Sequence, residues 1–419
     1  MSGVQPDEIF LLSPLSFQPL PLSVDDLLPV SVVLLLGYNY RIDPKALTKA
    51  LECTLSFFPH LSARIHLAFE PLKMSLVPSD RKIQLEWVKN SQGCLETLES
   101  MEQSFLTEHY APSAAFNAQN MLQIFDLPLL QLRISWLSSS NASVLGLMVS
   151  HIALDGIGMM YFIKHLSAAL QGRNLPIVVH DRILTFPEIL PSQCELPLYY
   201  RELVDLPLAL AKAHSEQKKY QVTIFSITLE SLEKIVGKKS LTNARFYFAA
   251  LLCQALAKIQ KKPLTIALWC NVRGLGHVPR NYTGNTGCYI YLPLEENNLE
   301  KCYQLLKSTI TRQGFAKIQQ AYNQLKSIEA EGRIIYWNGS EQDILSVNLV
   351  PHLPNALDLG SGSPVYAQIL TRNTVGLRIY SSPDGRRFTV EACLLEQLGD
   401  KLLQSCVDMG LFVKKWHHT

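Results

Sequence analysis

A short segment that contains His151 and Asp155 and ends at Gly156 is the clearest candidate for chemistry in the sequence. Histidine changes its charge near neutral pH, so its imidazole can accept a proton from a hydroxyl or an amine. His151 follows an apolar run at residues 143–149 that is typical of a buried strand. A histidine at the end of a strand lies at the rim of a sheet, where loops build functional sites. We therefore take His151 as a candidate general base.

The same segment also has a purely structural interpretation. A single histidine beside a core is commonly a hydrogen-bonded packing residue, and an Asp-Gly pair is commonly only a turn. The side chains of Asp155 and His151 lie on the same face if the segment is helical, but they can point apart if the segment is a turn. Gly156 and Gly158 resemble the start of a dinucleotide-binding motif, but Tyr161 occupies its third glycine position, so that match fails.

Two groups of strands and helices must position this segment. The first group has predicted strands at 32–36, 129–136 and 143–149, and predicted helices that begin at Asp43-Pro44 and after Gly156. Prolines interrupt any regular pattern between residues 172 and 207, so we expect a linker there. The second group has predicted strands at 223–229, 264–271, 365–380 and 387–391, and predicted helices at 243–259, 299–327 and 394–403.

The composition is that of a globular protein long enough for two domains. Of 419 residues, 47% are hydrophobic and 18% are charged. The formal net charge of +2 gives no reason to expect nucleic acid or a membrane surface as a partner. The first residues do not resemble a secretory signal, and the apolar window at 27–36 is too short to span a bilayer. We expect a cytoplasmic protein, and its cysteines, which include no Cys-x-x-Cys pair, predict neither a disulfide framework nor a metal site.

Five stretches in the right order resemble the BAHD family of coenzyme A-dependent acyltransferases. The family's His-x-x-x-Asp-Gly motif is matched by His151 to Gly156. Its Asp-Phe-Gly-Trp-Gly motif is approximated by Asp358-Leu359-Gly360-Ser361-Gly362. Weaker matches lie at residues 47–64, 127–131 and 271–285. Together these stretches span most of the chain.

The resemblance implies an α/β fold of two chloramphenicol acetyltransferase-like domains with a tunnel between them. Residues 1–175 would form the N-terminal domain that carries His151, and residues 176–215 the crossover linker. Residues 216–419 would form the C-terminal domain that carries Asp358 to Gly362. The family also implies acyl-CoA as co-substrate, a small-molecule alcohol or amine as acceptor, no permanently bound cofactor or metal, a monomer, and a place in specialised metabolism.

The resemblance also assigns a role to each matching residue. His151 would take the proton of the acceptor as it attacks the thioester, so no acyl-enzyme is needed. Asp155 and Gly156 would support the catalytic loop, with Asp155 in an ion pair with Arg273. A buried carboxylate without a cation is costly, so this pairing is also physically reasonable. Asp358, Gly360 and Gly362 would shape a tight turn away from the chemistry.

Several positions depart from the family pattern and leave two alternatives open. Leu359 and Ser361 replace large aromatic residues, Thr283 replaces Phe, Ala63 replaces Gly and Asn271 replaces Asp. One alternative is a condensation-type transferase that uses a carrier-protein thioester. Such domains usually have a second histidine where this chain has Ser150. The other alternative is a non-catalytic homologue that binds a metabolite or a protein; the lost aromatic residues favour it, and the retained motif residues oppose it.

Overall fold

The computed structural model contains two large β-sheets that face each other. It describes residues 4–22, 31–69, 72–114, 128–180, 200–202, 220–294, 298–331, 335–337, 344–350, 357–370, 375–395 and 397–416. Most of the predicted linker at 176–215 lies outside these ranges, with only 176–180 and 200–202 inside them. The predicted domain boundaries therefore stay a prediction.

The first sheet carries the strand that leads to His151. Its strands are β1 (Glu8–Leu12), β3 (Ser31–Tyr38), β6 (Ile83–Ser91), β7 (Leu130–Leu137), β8 (Ser143–Ser150) and β15 (Tyr366–Ile369). They lie in the order β1-β6-β7-β8-β3-β15. In β3, Leu34 and Leu36 pack into one core and Val33 and Leu35 into another. Because both faces are covered, the strand reads as a continuous apolar run rather than an alternating one.

Two helices cover the outer face of the first sheet: α1 (Pro44–Leu55) and α3 (Gly156–Leu170). The side chain of Asp43 caps α1 by accepting a hydrogen bond from the Lys45 amide at 2.9 Å, and Pro44 occupies the first turn. Leu47 and Leu51 of α1 and Phe162 of α3 are buried in the same core. A third helix, α2 (Gln103–Tyr110), lies on the inner side of the sheet.

The second sheet is larger and its helices cover the face away from the first sheet. Its strands are β10 (Tyr220–Thr228), β11 (Leu264–Asn271), β12 (Gly287–Leu294), β14 (Ile344–Leu349), β16 (Gly376–Ser381), β17 (Arg387–Leu395) and β18 (Val413–Trp416), in the order β12-β11-β14-β16-β17-β10-β18. Its helices are α4 (Leu229–Val236), α5 (Leu241–Gln260), α6 (Leu299–Ser308), α7 (Arg312–Ala330) and α8 (Leu398–Asp408). The long helix α5 is buried along most of its length.

Smaller elements complete the described part of the chain. A small sheet contains β2 (Leu20–Pro21), β4 (Arg64–Phe69) and β5 (Leu72–Val77) in the order β2-β5-β4. Another pairs β9 (Tyr200–Glu202) with β13 (Ile335–Trp337). Short 3-10 helices lie at Pro59–Ser62 and Leu95–Ser100. Among the residues described, no helix is long and apolar enough to cross a membrane.

One strand from the C-terminal half belongs to the first sheet. β15 pairs antiparallel with β3, with Tyr366 opposite Gly37 and Ile369 opposite Leu34. The chain therefore leaves the second sheet after β14, adds an edge strand to the first sheet, and returns as β16. This crossing holds the two sheets together independently of the linker.

Three predicted elements differ from the observed ones, and one observed strand was not predicted. The predicted helix 299–327 is two helices, because Thr311 caps a new one by accepting a hydrogen bond from the Gly314 amide at 3.1 Å. The predicted strand 365–380 is two strands in different sheets. The closing helix starts at Leu398 rather than 394, since β17 continues to Leu395. The C-terminal residues 413–416, for which no element was predicted, form a strand beside β10.

Candidate active site

His151 lies immediately after β8, in a short turn before α3. The amides of Ala153 and Leu154 donate to the carbonyl of Ser150 at 2.9 and 3.3 Å, which closes the turn. Residues 152–154 are buried in the core that the first sheet forms with α1 and α3, so their packing holds the turn in place. His151 itself is only half-buried. The residue is therefore held at the end of a rigid strand but keeps part of its surface accessible.

Asp155 caps α3 and forms a two-pronged ion pair with Arg273. Its Oδ1 accepts a hydrogen bond from the Gly158 amide at 2.7 Å. Arg273 donates to Oδ1 through Nη2 at 2.7 Å and to Oδ2 through Nη1 at 2.8 Å. The arginine and aspartate side chains are only 4% and 10% exposed. The pairing expected for these two residues is present, and it points the carboxylate towards Arg273 and the helix start.

Arg273 also fastens the loop between β11 and β12 to the site. Its Nε donates to the carbonyl of Tyr282 at 2.6 Å, and its Nη2 donates to the carbonyl of Gly284 at 2.6 Å. The side chain of Asn285 in turn donates to the carbonyl of His151 at 2.5 Å. The His151 turn and the loop at 282–285 therefore form one hydrogen-bonded unit, although they come from the two halves of the chain.

A close backbone contact supports this unit, and it is made at Gly158 rather than at Gly156. A Cβ atom added at Gly158 would lie 2.0 Å from the carbonyl oxygen of Thr283. A Cβ atom added at Gly156 would meet no atom within 4 Å. The absence of a side chain at Gly158 therefore lets α3 touch the opposite loop, and the supporting role of Gly156 stays a prediction.

The surroundings of His151 lower the pKa of its imidazole below the ordinary value of 6.5. Burial is the largest cause, because it disfavours the charged ring. The negative charge of Asp155 opposes this effect, as do the residue's own backbone carbonyl and the Asn285 side chain. The positive charge of Arg378 lowers the pKa further. The ring is thus neutral at neutral pH, which is the state in which it can accept a proton.

The turn at 358–362 is built as the sequence predicts and lies against α3. Asp358 Oδ1 accepts hydrogen bonds from the amides of Gly360 at 2.8 Å and Gly362 at 2.7 Å. Both glycines have positive φ, 114° and 129°, which other residues rarely adopt. The carbonyl of Asp358 accepts a hydrogen bond from the side chain of Gln171, the residue after α3, at 2.7 Å. This contact lies at the end of α3 remote from His151, and the hydroxyl of Tyr40 donates to the carbonyl of Gly362 at 3.2 Å.

The two substituted positions of this turn have different surroundings. Leu359 is buried in the core of the first sheet. Ser361 is exposed. The turn therefore forms with an aliphatic residue and a serine at the two positions that are aromatic in the family motif.

Among the other described histidines, His180 contacts the site's loop, with its Nδ1 2.6 Å from Thr283 Oγ1. His165 is buried in α3, where its ring nitrogens contact the carbonyls of Tyr161 and Pro176 at 2.7 Å. His60 packs against His180, with ring centroids 4.5 Å apart. His352 lies outside the described residues. Within the described ranges no group of His, Cys, Asp and Glu could hold a metal ion.

The sequence analysis missed two buried charged residues of the second sheet: Arg378 on β16, whose charge lowers the pKa of His151, and Glu391 on β17. They form a buried ion pair, with Arg378 Nη1 2.8 Å from Glu391 Oε2. A charged residue in the middle of each apolar strand run was a signal for a buried polar site. The pairing itself depends on the strand register, which the sequence does not specify.

No family model and no curated protein sequence matches this chain at a significant level. Solved structures match its fold over nearly its whole length. Vinorine synthase aligns with a TM-score of 0.65 at 15% identity, covering 97% of this chain and 98% of its own. TRI101 of F. sporotrichioides, complexed with coenzyme A and T-2, aligns with a TM-score of 0.66 at 14% identity, covering 95% and 100%. The starter condensation domain of rhizomide synthetase, in complex with C8-CoA and Leu-SNAC, aligns with a TM-score of 0.57 at 13% identity, covering 93% and 89%.

These likenesses define the fold class of the protein. The chain has the two-domain chloramphenicol acetyltransferase-like α/β fold, as the motifs predict. The resemblance to the BAHD acyltransferases is confirmed at the level of the fold. At such low identity the fold does not by itself specify the reaction.

Proposed function

We propose that this protein transfers an acyl group from acyl-CoA to a hydroxyl or amine of a small molecule, with His151 as the general base. The observation that carries the proposal is the position of His151. It lies at the end of β8 between the two sheets, half-buried, with an imidazole whose pKa is lowered so that the ring is neutral. A neutral, partly accessible imidazole is the form required for general-base catalysis.

The proposed reaction passes through one tetrahedral intermediate. The neutral ring accepts the proton of the acceptor while its oxygen or nitrogen attacks the thioester carbonyl carbon. The intermediate then collapses, the carbon–sulfur bond breaks, and the imidazolium returns the proton to the leaving thiolate of CoA. Because burial disfavours the charged ring, the imidazolium gives its proton up readily. No residue needs to be acylated.

In this proposal Asp155 and Arg273 are positioning residues. Their ion pair holds the turn that carries His151 against the loop at 282–285. Asn285 fixes the same turn through the His151 carbonyl. Asp155 does not reach into the reaction, because Arg273 and the Gly158 amide occupy its carboxylate oxygens.

Several further observations favour CoA as the thiol. TRI101 was crystallised with coenzyme A, in a structure that covers nearly the whole of this chain. Ser150 lies where a condensation domain usually has its extra histidine, and the condensation domain aligns with a lower TM-score. These points favour acyl-CoA over a carrier-protein thioester. The cytoplasmic location, the monomeric state and the role in specialised metabolism stay predictions.

The test is an acyl-transfer assay with acetyl-CoA and longer acyl-CoAs against a panel of alcohols and amines, with the acylated products identified by mass spectrometry. We expect transfer by the wild-type protein and a loss of about 100- to 10,000-fold in rate for His151→Ala. His66→Ala, which changes an exposed histidine on β4, is the matched control and should keep the wild-type rate. Full turnover by a folded His151→Ala protein would remove the proposed mechanism.

A further inference from the structure

The segment at 177–180, at the start of the predicted linker, runs beside the loop that holds the turn of the proposed base. Val179 forms a parallel bridge with Tyr282. The Val179 amide donates to the Asn281 carbonyl at 3.1 Å, and the Val179 carbonyl accepts from the Thr283 amide at 2.9 Å. The loop therefore has a backbone support from this segment.

The last residue of the segment, His180, contacts the same loop through its side chain. Its Nδ1 lies 2.6 Å from Oγ1 of Thr283, a residue that is fully buried. Its Nε2 contacts the carbonyl of Phe57, in the turn after α1. That turn is rigid, because the adjacent Phe58 is fully buried in the core of the first sheet. His180 therefore joins the loop to a fixed part of the N-terminal half.

The hydrogen bonds of His180 can form in either charge state of its ring. A carbonyl can only accept, so Nε2 carries a proton and donates to Phe57. In the neutral ring Nδ1 has a lone pair, and it accepts the hydroxyl proton of Thr283. In the charged ring Nδ1 donates to Oγ1, and the hydroxyl proton turns to the Val179 carbonyl, 3.1 Å away. The geometry therefore keeps His180 bonded to Thr283 in both charge states.

Thr283 is the centre of the loop that positions His151. A Cβ atom added at Gly158 would lie 2.0 Å from the Thr283 carbonyl oxygen, so the loop is packed tightly against the start of α3. The carbonyls on either side of Thr283 accept hydrogen bonds from Arg273. Two residues further on, the Asn285 side chain donates to the His151 carbonyl at 2.5 Å. A displacement of Thr283 would therefore reach the His151 turn through several contacts.

The side chain at 283 is also one of the positions that depart from the family motif. The phenylalanine that is usual there has no group that could bond to the Nδ1 of a histidine. A buried hydroxyl is costly to leave without a partner, and both His180 and the Val179 carbonyl lie within bonding distance of this one. Histidine at 180 and threonine at 283 thus complement each other in this chain.

We propose that His180 and Thr283 are positioning residues of the active site, and that their hydrogen bond holds the loop at 282–285 so that His151 keeps its reactive position. This inference rests on the proposed acyl transfer. Both residues act through the loop rather than on the reacting atoms. A misplacement of about 1 Å can slow a reaction about 100-fold even when the change lies far from the chemistry. Loss of the bond should therefore lower kcat more than it raises KM.

The first test is Thr283→Val, which keeps the shape of the side chain and removes only its hydroxyl. The kcat of acyl transfer should fall about 10- to 100-fold, while the KM for acyl-CoA changes by less than about threefold. Thr283→Ser restores a hydroxyl and should recover most of the lost kcat. A purely structural role would lower the amount of folded protein but not the kcat of the folded molecules.

A double-mutant cycle shows whether the two residues act as a pair. His180→Leu keeps an apolar side chain against Phe58 and removes both polar contacts. Combined with Thr283→Val, it should lower kcat no further than the more severe single variant, because both changes break the same bond.

The matched control is His165→Leu. His165 packs on the same Phe58 ring, but its ring nitrogens contact the carbonyls of Tyr161 and Pro176 rather than the loop. The effects of His165→Leu and Thr283→Val on kcat should therefore multiply.

Hydrogen exchange followed by mass spectrometry measures the anchoring of the loop without turnover. Amides at 282–285 and in the His151 turn should exchange faster in Thr283→Val and in His180→Leu than in the wild type. In His165→Leu their exchange should match that of the wild type.

The outcomes separate the two proposals. Absence of transfer by the wild-type protein with every acyl-CoA and acceptor contradicts the proposed function, and the exchange rates then still decide whether His180 anchors the loop. Wild-type kcat in folded Thr283→Val, or multiplying effects of Thr283→Val and His180→Leu, overturns the positioning role. Wild-type exchange at 282–285 in both variants overturns the anchoring itself.

Discussion

Two buried ion pairs of this protein have different surroundings. Glu86 and Arg133 lie side by side in the first sheet, 2.6 Å apart and 1% and 0% exposed. Gln131 and Ser113, from the same half of the chain, also hydrogen-bond to Glu86. Asp155 and Arg273 are equally well paired, but they come from opposite halves of the chain, and Asp155 lies in the turn that carries a half-buried histidine.

The difference shows which buried polar groups point to function. Burial and pairing are common to both pairs, so neither property distinguishes a site from a structural network. The Asp155 pair differs because it joins two chain segments around His151. The polar network around Glu86 is a fixed part of one sheet, whereas the network around Asp155 holds a titratable residue in place.

Removal of one partner from each pair should affect stability similarly but activity differently. Asp155→Ala and Glu86→Ala each leave a buried arginine without its carboxylate, so we expect each to lower the free energy of unfolding by about 3–5 kcal/mol. Only Asp155→Ala should also slow acyl transfer, because the His151 turn loses its anchor. Urea unfolding and the transfer rate per folded molecule measure the two effects. An Asp155→Ala protein as stable as the wild type would contradict the anchoring role.

A smaller change tests the contact between α3 and the opposite loop. Gly158→Ala places a methyl group against the Thr283 carbonyl, so it should cost about 1–3 kcal/mol and slow transfer. Gly156→Ala meets no atom and should change the stability by less than about 0.5 kcal/mol. Thermal unfolding of the two variants side by side gives the comparison. Equal melting temperatures would show that the loop moves freely away from α3.

The smallest expected effect is a shift in pH dependence. Since the pKa of His151 is lowered, the acidic limb of kcat/KM should lie below pH 6.5. Asp155→Asn removes a charge that raises this pKa, so the limb should move to lower pH. Arg378→Met removes a charge that lowers it, so the limb should move to higher pH. If the acidic limb moved in the same direction in both variants, the proposed effects of the two charges on the pKa of His151 would be contradicted.

The same lowered pKa affects stability with a definite sign. Below pH 6.5 the unfolded chain binds a proton at His151 that the folded chain rejects until its lower pKa is reached. This residue therefore lowers the free energy of unfolding as the pH falls below 6.5. His151→Gln should remove this pH-dependent contribution to the free energy of unfolding, whereas Glu86→Gln should leave it in place.

The local elements of the site could be read from the sequence because they depend on near neighbours. The apolar run before His151 and the helix start after Gly156 follow from local preferences, whereas the turn at Gly360 and Gly362 came from the resemblance. The motifs and their order resemble those of a known family. That resemblance predicted the fold and the ion pair between Asp155 and Arg273. The close contact of Gly158 with the Thr283 carbonyl was not predicted, because a contact between distant segments cannot be read from local sequence.

The amino-acid sequence by itself indicated most of the strands and helices around the site, and which residue at a strand end could exchange a proton. The tertiary structure alone decided that β15 joins the first sheet and that Arg378 lies opposite Glu391 on the neighbouring strand. Alternation tells which residues share a face of a strand, but not which sheet that face meets. Contacts between distant segments depend on register and packing, and those are fixed only when the whole chain has folded.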